Sequence, residues 1–409
     1  MKKVRIALHW QILIAIVLGA AFGVVFHQYA SYINWAGQVF LRALSMIVIP
    51  LIFTSLVLGM SSMGRSLDLG RIAGKTMLFY IVTTAIAAVV GLVLVNTIHP
   101  GVGTNLHMAE SVSTLAVTEV SFVDQLVRII PSNLFEDLSK GNLLPVVFFA
   151  IIFGFFVTRT GDKSRQVMSD AFNSIFEVIM ELTMFVIKFT PYGVFAIVAN
   201  VVAQQAGDSG ALLNVLSGLG LYTGVIWGGC IIHGLLILPG LVYLSTRLNA
   251  YKLIKQMSAA LLTAFSTCSS SAALPLGLRD IQKNTGVSNR IASFVYPLGT
   301  TINMNGTALY ECVSAIFIAQ VYGIDLTIAQ QIMIVMASLL AAIGAAGIPM
   351  AGMVMMAVVL GVVGLPLEGI GLVLAVQQLC DMVRTTVNVY GNACASAVVA
   401  HSEGEKLNL

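Results

Sequence analysis

Residues 366–402 read PLEGIGLVLAVQQLCDMVRTTVNVYGNACASAVVAHS, an apolar stretch of helix length that carries charge through its middle. Asp381, Arg384, Thr385, Asn388 and Asn392 fall at i, i+3, i+4, i+7 and i+11. At roughly 100° per residue these positions share one face of a helix. The opposite face is Leu, Val, Ala and Cys. An acid or an arginine at the centre of a membrane span costs about 2.5–3.5 kcal/mol on insertion scales, so a helix that only had to span would carry neither. A self-neutralising Asp381–Arg384 pair accounts for the charges alone. Three further polar side chains on the same stripe point to a polar ligand facing it.

The rest of the chain fits a membrane setting. Hydrophobic residues make up 58% and charged residues 10%, and the mean hydropathy is +0.93, which describes an integral membrane protein. The apolar segments run to about 20 residues or more, the length of spanning helices rather than outer-membrane strands. A net charge of +3 spread over short loops argues against a nucleic-acid partner. Cys230, Cys268, Cys312, Cys380 and Cys394 sit in apolar runs without ligand spacing and read as small hydrophobes. MKKVRIALHWQ leads into a full-length first span without a small-residue cleavage site, so no cleaved signal peptide is expected.

Loop charge orients the spans. The first three are expected at about 8–28, 38–60 and 74–98. Lys2, Lys3 and Arg5 at the start, and Arg65, Arg71 and Lys75 in the loop 62–75, place both segments in the cytoplasm. A polar stretch at 99–143, with Glu110, Glu119, Asp124, Glu136 and Asp137, is then outside. A fourth span returns at Arg159, Lys163 and Arg165; a fifth, about 168–203, is kinked at Pro191-Tyr192-Gly193; a sixth, about 211–245, ends at Arg247, Lys252 and Lys255.

Counting then breaks down. MSAALLTAFSTCSSSAALPLGL (257–278) has basic flanks on both sides, is polar in its middle and closes with Pro275. A segment that starts and ends in the cytoplasm is a hairpin that dips in and returns, and irregular backbone at that depth must be buried in protein or line a cavity. The seventh span, about 291–321, is interrupted at 303–307, and 328–363 repeats the hairpin from the other side through 344–349. Two broken segments followed by a polar helix point to an inverted-repeat secondary transporter with a midplane site. The expected fold is all-α and polytopic, with eight transmembrane helices and two re-entrant hairpins.

SSSAALP (269–275), INMNGTALYE (302–311), IGAAGIPMAG (343–352) and DMVRTTVNVYGN (381–392) together resemble the glutamate transporter family, the dicarboxylate/amino acid:cation symporters. The similarity runs over essentially the whole chain and is densest in the last 150 or so residues. It implies a homotrimer in the cytoplasmic (inner) membrane, both termini cytoplasmic, in which each protomer moves substrate by an elevator motion. Residues 1–73 and 144–205 would be scaffold, with spans 1–2 and 4–5, and 99–143 the extracellular loop. Span 3 (74–98) and residues 206–409 would be the transport domain, with hairpin 1 at about 252–282 and hairpin 2 at about 328–363.

The resemblance also assigns roles. Arg384 would hold the substrate side-chain carboxylate, for which a guanidinium fork offers parallel donors. Asp381 would pair with the substrate ammonium, with Thr385, Asn388 and Thr307 adding hydrogen bonds. Ser270 would offer its backbone N–H to the α-carboxylate, helped by a helix dipole, and Ile348 and Gly352 would close hairpin 2 over the ligand. One amine and two carboxylates describe aspartate or glutamate; a C4-dicarboxylate needs no ammonium partner, and a neutral amino acid needs no such arginine.

The coupling ion is where the chain departs from its relatives. Sodium-coupled members read NMDGT in span 7 and end the span-8 motif in aspartate; here Asn305 and Asn392 stand there. Losing two formal charges weakens a hard-cation site, although Tyr80, Thr83, Thr84, Gly299, Asn303 and Asn388 persist as ligands of those sites, and a third rests on Thr301 and hairpin-2 carbonyls. Glu311 resembles the proton-carrying glutamate of the animal members. A carboxylate in the membrane interior costs least as the neutral acid, which suits a carrier taking and giving one proton. The expectation is proton coupling, with sodium the alternative and no cofactor. The gating arginine of other members is absent, Cys268 and Met382 occupying its two places. Two other classes fit less well. An intramembrane serine hydrolase at Ser269, Ser270 or Ser271 lacks a general base in reach, His233 reading as a core residue and His401 lying at a helix end. A pure anion channel needs no such site.

Overall fold

The computed structural model describes residues 8–61, 67–103, 127, 130–140, 143–204, 209–344 and 351–409. Lys2, Lys3, Arg5, Arg65, Glu110, Glu119, Asp124 and Ile348, named above, lie outside the described residues. The described elements are helical: α1 Leu8–Val25, α2 Ala30–Ser61, α3 Leu67–Ile98, α4 Leu134–Lys140, α5 Leu143–Val157, α6 Asp162–Ile187, α7 Thr190–Gln204 and α8 Ser209–Ile232. A π-helical turn, His233–Ile237, continues α8 into α9 Leu238–Thr246. After it come α10 Ala250–Gln256, α11 Ser258–Thr267, α12 Ser270–Lys283, α13 Asn289–Ile302, α14 Asn305–Val321, α15 Ile328–Gly344, α16 Ala351–Val362, α17 Ile370–Leu374 and α18 Gln377–Ser402.

The helices are apolar enough to need lipid. Arg71–Ile98 and Ser217–Thr246 each meet the length and composition of a membrane span, and two bent pairs meet it jointly. One pair is Asp162–Ile187 with Thr190–Asn200, bent by 50° where the sequence places Pro191. The other joins Ile14–Val25 to His27–Phe40 at 105°, so the first span ends at Val25 in a sharp turn rather than running to 28. Large apolar side chains such as Trp10, Val17, Leu78 and Phe156 lie exposed on the outer faces, an arrangement that suits a hydrocarbon solvent.

Two groups of helices pack internally. Helices α1, α5, α6 and α7 gather around α2 or on each other, while α3, α8, α11, α12, α13, α14 and α18 gather in a second set. Helices α15 and α16 pack on each other and on α14, and touch α2 and α5 as well. The breaks are narrower than the sequence suggests. Span 7 is interrupted only at Asn303 and Met304, because Asn305, Gly306 and Thr307 already belong to α14. Pro275 does not close hairpin 1; it sits inside α12, which continues to Lys283, since a proline removes one main-chain bond without ending a helix that packing holds. The polar stretch after α3 contains a helix of its own, α4, whose first turn is capped by Asn133 accepting from the Phe135 amide at 3.1 Å.

Candidate functional site

The polar stripe of α18 is turned inward, towards α11, α12, α13 and α14. Asp381 and Arg384 are each 2% exposed. Arg384 Nε donates to Asp381 Oδ1 at 2.8 Å, and Thr385 Oγ1 donates to the same oxygen at 2.9 Å. The guanidinium carbon lies 4.5 Å from the centre of the Tyr310 ring, a cation–π contact. Arg384 Nη1 has no hydrogen-bond partner among the described residues. A guanidinium fixed on one edge and open on another, in a dry setting, has the donor geometry to hold a carboxylate. Gly352, in the first turn of α16, comes against that open nitrogen: a Cβ there would stand 1.9 Å from Nη1.

Around this pair the other expected residues gather in two steps. Asn388 Oδ1 accepts from the Gly306 amide at 2.7 Å, and its Nδ2 donates to Thr307 Oγ1 at 3.1 Å. The break in span 7 is thereby pinned to α18. Hairpin 1 turns at Cys268, whose φ of 52° is left-handed, and at extended Ser269, after which α12 begins with buried Ser270. Ser269 Oγ accepts from the Ala272 amide at 3.2 Å and so serves as the cap of α12. That leaves the first-turn amides of α12, Ser270 among them, at the positive end of the helix dipole. Gln378 Nε2 lies 3.1 Å from Cys268 Sγ and ties the hairpin tip to α18.

The residues expected at a cation site form a separate buried cluster of neutral oxygens. Thr84 Oγ1 donates to Asn305 Oδ1 at 2.8 Å. Thr83 Oγ1 donates to the Phe79 carbonyl at 2.8 Å and lies 3.3 Å from Asn305 Oδ1. Tyr80 donates to the Val295 carbonyl at 2.6 Å. In one amide orientation Asn303 Nδ2 donates to Asn392 Oδ1 at 2.9 Å. Turned over, the Asn392 nitrogen donates to the Gly299 and Asn388 carbonyls, both at 3.2 Å, and this two-partner arrangement is the better satisfied. Thr301 stands apart, half-buried, its hydroxyl on the Leu298 carbonyl at 3.0 Å. Six residues beyond Asn305, Glu311 is fully buried, neither carboxylate oxygen has a hydrogen-bond partner among the described residues, and Arg384 is within electrostatic range.

Tyr310 was given no role by the sequence, although it lies within the INMNGTALYE motif three residues after Thr307; that helical spacing was the available signal. His233 is fully buried at the start of the π-helical turn.

The model of the sodium:dicarboxylate symporter family matches residues 8–402. A proton/sodium-glutamate symport protein of Geobacillus stearothermophilus is 36% identical over 411 residues, covering 98% of this chain and 96% of the relative. A proton/glutamate-aspartate symporter of Escherichia coli (strain K12) is 34% identical over 420 residues, covering 98% and 94%. Human excitatory amino acid transporter 3 is 32% identical over 445 residues, covering 94% and 83%. With its polar stripe turned inward, its span 7 broken beside that stripe and nearly its whole length matched, the chain belongs to the sodium:dicarboxylate symporter family.

Proposed function

We propose that this protein takes up acidic amino acids, aspartate or glutamate, by proton-coupled symport. The observation that carries the substrate reading is the buried Arg384, paired through Nε with Asp381 and open at Nη1. A side-chain carboxylate seated there replaces part of the hydration lost by the guanidinium, while the second Asp381 oxygen faces the substrate ammonium. The α-carboxylate takes the first-turn amides of α12 around Ser270. Thr307, Thr385 and Asn388 complete the polar wall, and hairpin 2, with Ile348 and Gly352, closes over the ligand. In this reading α3 and the elements from α8 onward move together against a scaffold of α1, α2, α5, α6 and α7. The working form is a homotrimer in the cytoplasmic membrane with both termini inside.

Proton coupling is supported by Glu311, buried without a hydrogen-bond partner among the described residues, and by the uncharged amides of Asn305 and Asn392. The test uses proteoliposomes and labelled aspartate, with the two gradients imposed separately. Uptake driven by an inside-alkaline gradient, with sodium absent on both sides, is the expected result. Uptake that requires sodium and ignores the pH gradient would reassign the coupling, first to Thr301 and hairpin 2. Currents without accumulation would indicate a channel.

A further inference from the structure

The tip of hairpin 1 is joined to α18 through a side chain that the substrate site itself does not use. Cys268 closes α11: its amide donates to the Ala264 carbonyl at 2.9 Å, and its φ of 52° is left-handed, in the place that glycine usually takes at a helix end. Its side chain is held as well. Cys268 is 1% exposed, its Sγ accepts from Gln378 Nε2 at 3.1 Å, and it lies within electrostatic range of both Asp381 and Arg384. Ser266 and Thr267, just before the tip, are exposed instead, and their hydroxyls donate to the Leu262 and Thr263 carbonyls of their own helix. Gln378 stands three residues before Asp381 and seven before Thr385, so it extends the polar stripe of α18 by one turn. Beyond Cys268, extended Ser269 leads straight into the first turn of α12, whose amides the proposed site offers to the α-carboxylate. The Gln378–Cys268 contact thus connects the two ends of one receptor, α12 at one and the Asp381–Arg384 pair at the other.

A contact that only fastened the hairpin would serve as well lower on α11, away from the ligand. It falls instead on the residue adjoining the receptor, in a backbone conformation that a residue other than glycine keeps only where its surroundings impose it. Aspartate and glutamate carry the same charges and differ by one methylene between their carboxylates. Charge does not separate them, so a site that tells them apart does so by the spacing of its two ends. One methylene changes binding in a fixed pocket by about 10–200-fold. Keeping that discrimination requires the two ends to hold their places within about 0.5 Å.

We propose that Gln378 is a positioning residue that sets which acidic amino acid the site prefers, by fixing the hairpin 1 tip, through Cys268, at one distance from Asp381 and Arg384. The inference rests on the acidic amino acid reading above and adds to it the length of the ligand. With the contact made, the receptor offers one spacing and one ligand length fits. With the contact broken, the tip follows the α-carboxylate of either ligand, and the two lengths bind alike.

The experiment competes unlabelled aspartate and glutamate against labelled aspartate on the purified full-length protein and reads the ratio of the two affinities. Wild type is expected to separate them by at least about tenfold. Gln378→Leu, which keeps the bulk and removes the donor, should bring the ratio close to one. Cys268→Gly gives a second reading, because glycine takes the left-handed φ without strain, so the hairpin folds while the acceptor is gone; the same collapse of the ratio is expected. Cys268→Ser keeps an acceptor at the tip and should hold the wild-type preference. A contact with a structural role alone would lower both affinities together and leave the ratio where it was. That result in either Gln378→Leu or Cys268→Gly overturns the inference, as does a wild type that binds the two amino acids equally, and both leave the acidic amino acid reading standing. A wild type that binds neither overturns that reading and this one with it.

Discussion

Arg384 makes one contact of each kind available to a guanidinium: an ion pair to Asp381, a ring face in Tyr310, and an edge left open at Nη1. Truncating one member of a buried charged pair costs about 2–5 kcal/mol, much of it from the partner left unpaired. Arg384→Ala should therefore weaken aspartate binding by about thirty-fold to a few thousand-fold while the protein still elutes as one species; calorimetry showing affinity within a few-fold of wild type would remove the arginine from the site. Asp381 should discriminate by ligand charge. Asp381→Asn leaves an ammonium without its partner, so aspartate should lose at least tenfold more affinity than succinate, about 1.4 kcal/mol. An equal loss for both ligands in competition binding would count against the ammonium role.

At the scale of elements, the site is made by interruptions. A continuous span 7 would carry Asn303 and Asn305 past α18, whereas the break at Asn303 and Met304 lets the α14 amide of Gly306 donate to Asn388. Hairpin 2 depends on the absence of a side chain at Gly352, where a Cβ would meet Arg384 Nη1 at 1.9 Å, far inside contact distance. Gly352→Ala should lower aspartate affinity at least about tenfold with little change in unfolding temperature, because the clash falls on a long side chain and not on packed backbone. Wild-type affinity in a binding assay would show that hairpin 2 closes elsewhere. Glu311, on α14, is fully buried without a hydrogen-bond partner among the described residues. Glu311→Gln keeps the shape and removes the titrating group, so proton-driven accumulation should fall to background while aspartate exchange continues; accumulation that persists under a pH gradient alone would reduce Glu311 to packing.

Over the whole molecule, the tail after α18 ties distant elements together at the basic end. Glu403 accepts from Arg71 Nη2 at 2.6 Å and from Lys75 at 2.7 Å, both on α3. Glu405 accepts from Ser288 before α13, Gln256 Nε2 donates to the Asn408 carbonyl at 3.0 Å, and the Asn408 amide donates to the Thr285 carbonyl at 2.9 Å. The Arg71 and Lys75 hydrogen bonds hold the Glu403 carboxyl well below its usual 4.5, at about 2. Its folded value is the depressed one, so its stabilising effect is complete above about 4.5 and is lost as pH falls towards about 2. Glu403→Gln should lower the melting temperature slightly at neutral pH, with the gap to wild type closing as pH drops through that window. A gap that is independent of pH in a detergent melting series would show that the charge plays no part. Surface pairs of this kind are screened by salt, and high ionic strength should shrink the gap as well.

What the sequence determined by itself is what depends on composition and period. Hydropathy marks the membrane helices, and the i, i+3, i+4, i+7, i+11 stripe on α18 and the clash between basic flanks and span count around 257–278 follow from local rules that no packing overrides. Motif order already marked Arg384, Asp381 and Asn388 as neighbours in function. Tertiary structure alone decided which groups meet. Tyr310 under the guanidinium, Gly352 against Nη1, Gln378 on Cys268 and the tail on α3 join residues far apart in the chain. The limits of the breaks belong here too: Pro275 sits within a continuous helix and Asn305 within α14, because burial and neighbouring helices hold backbone that propensity would release.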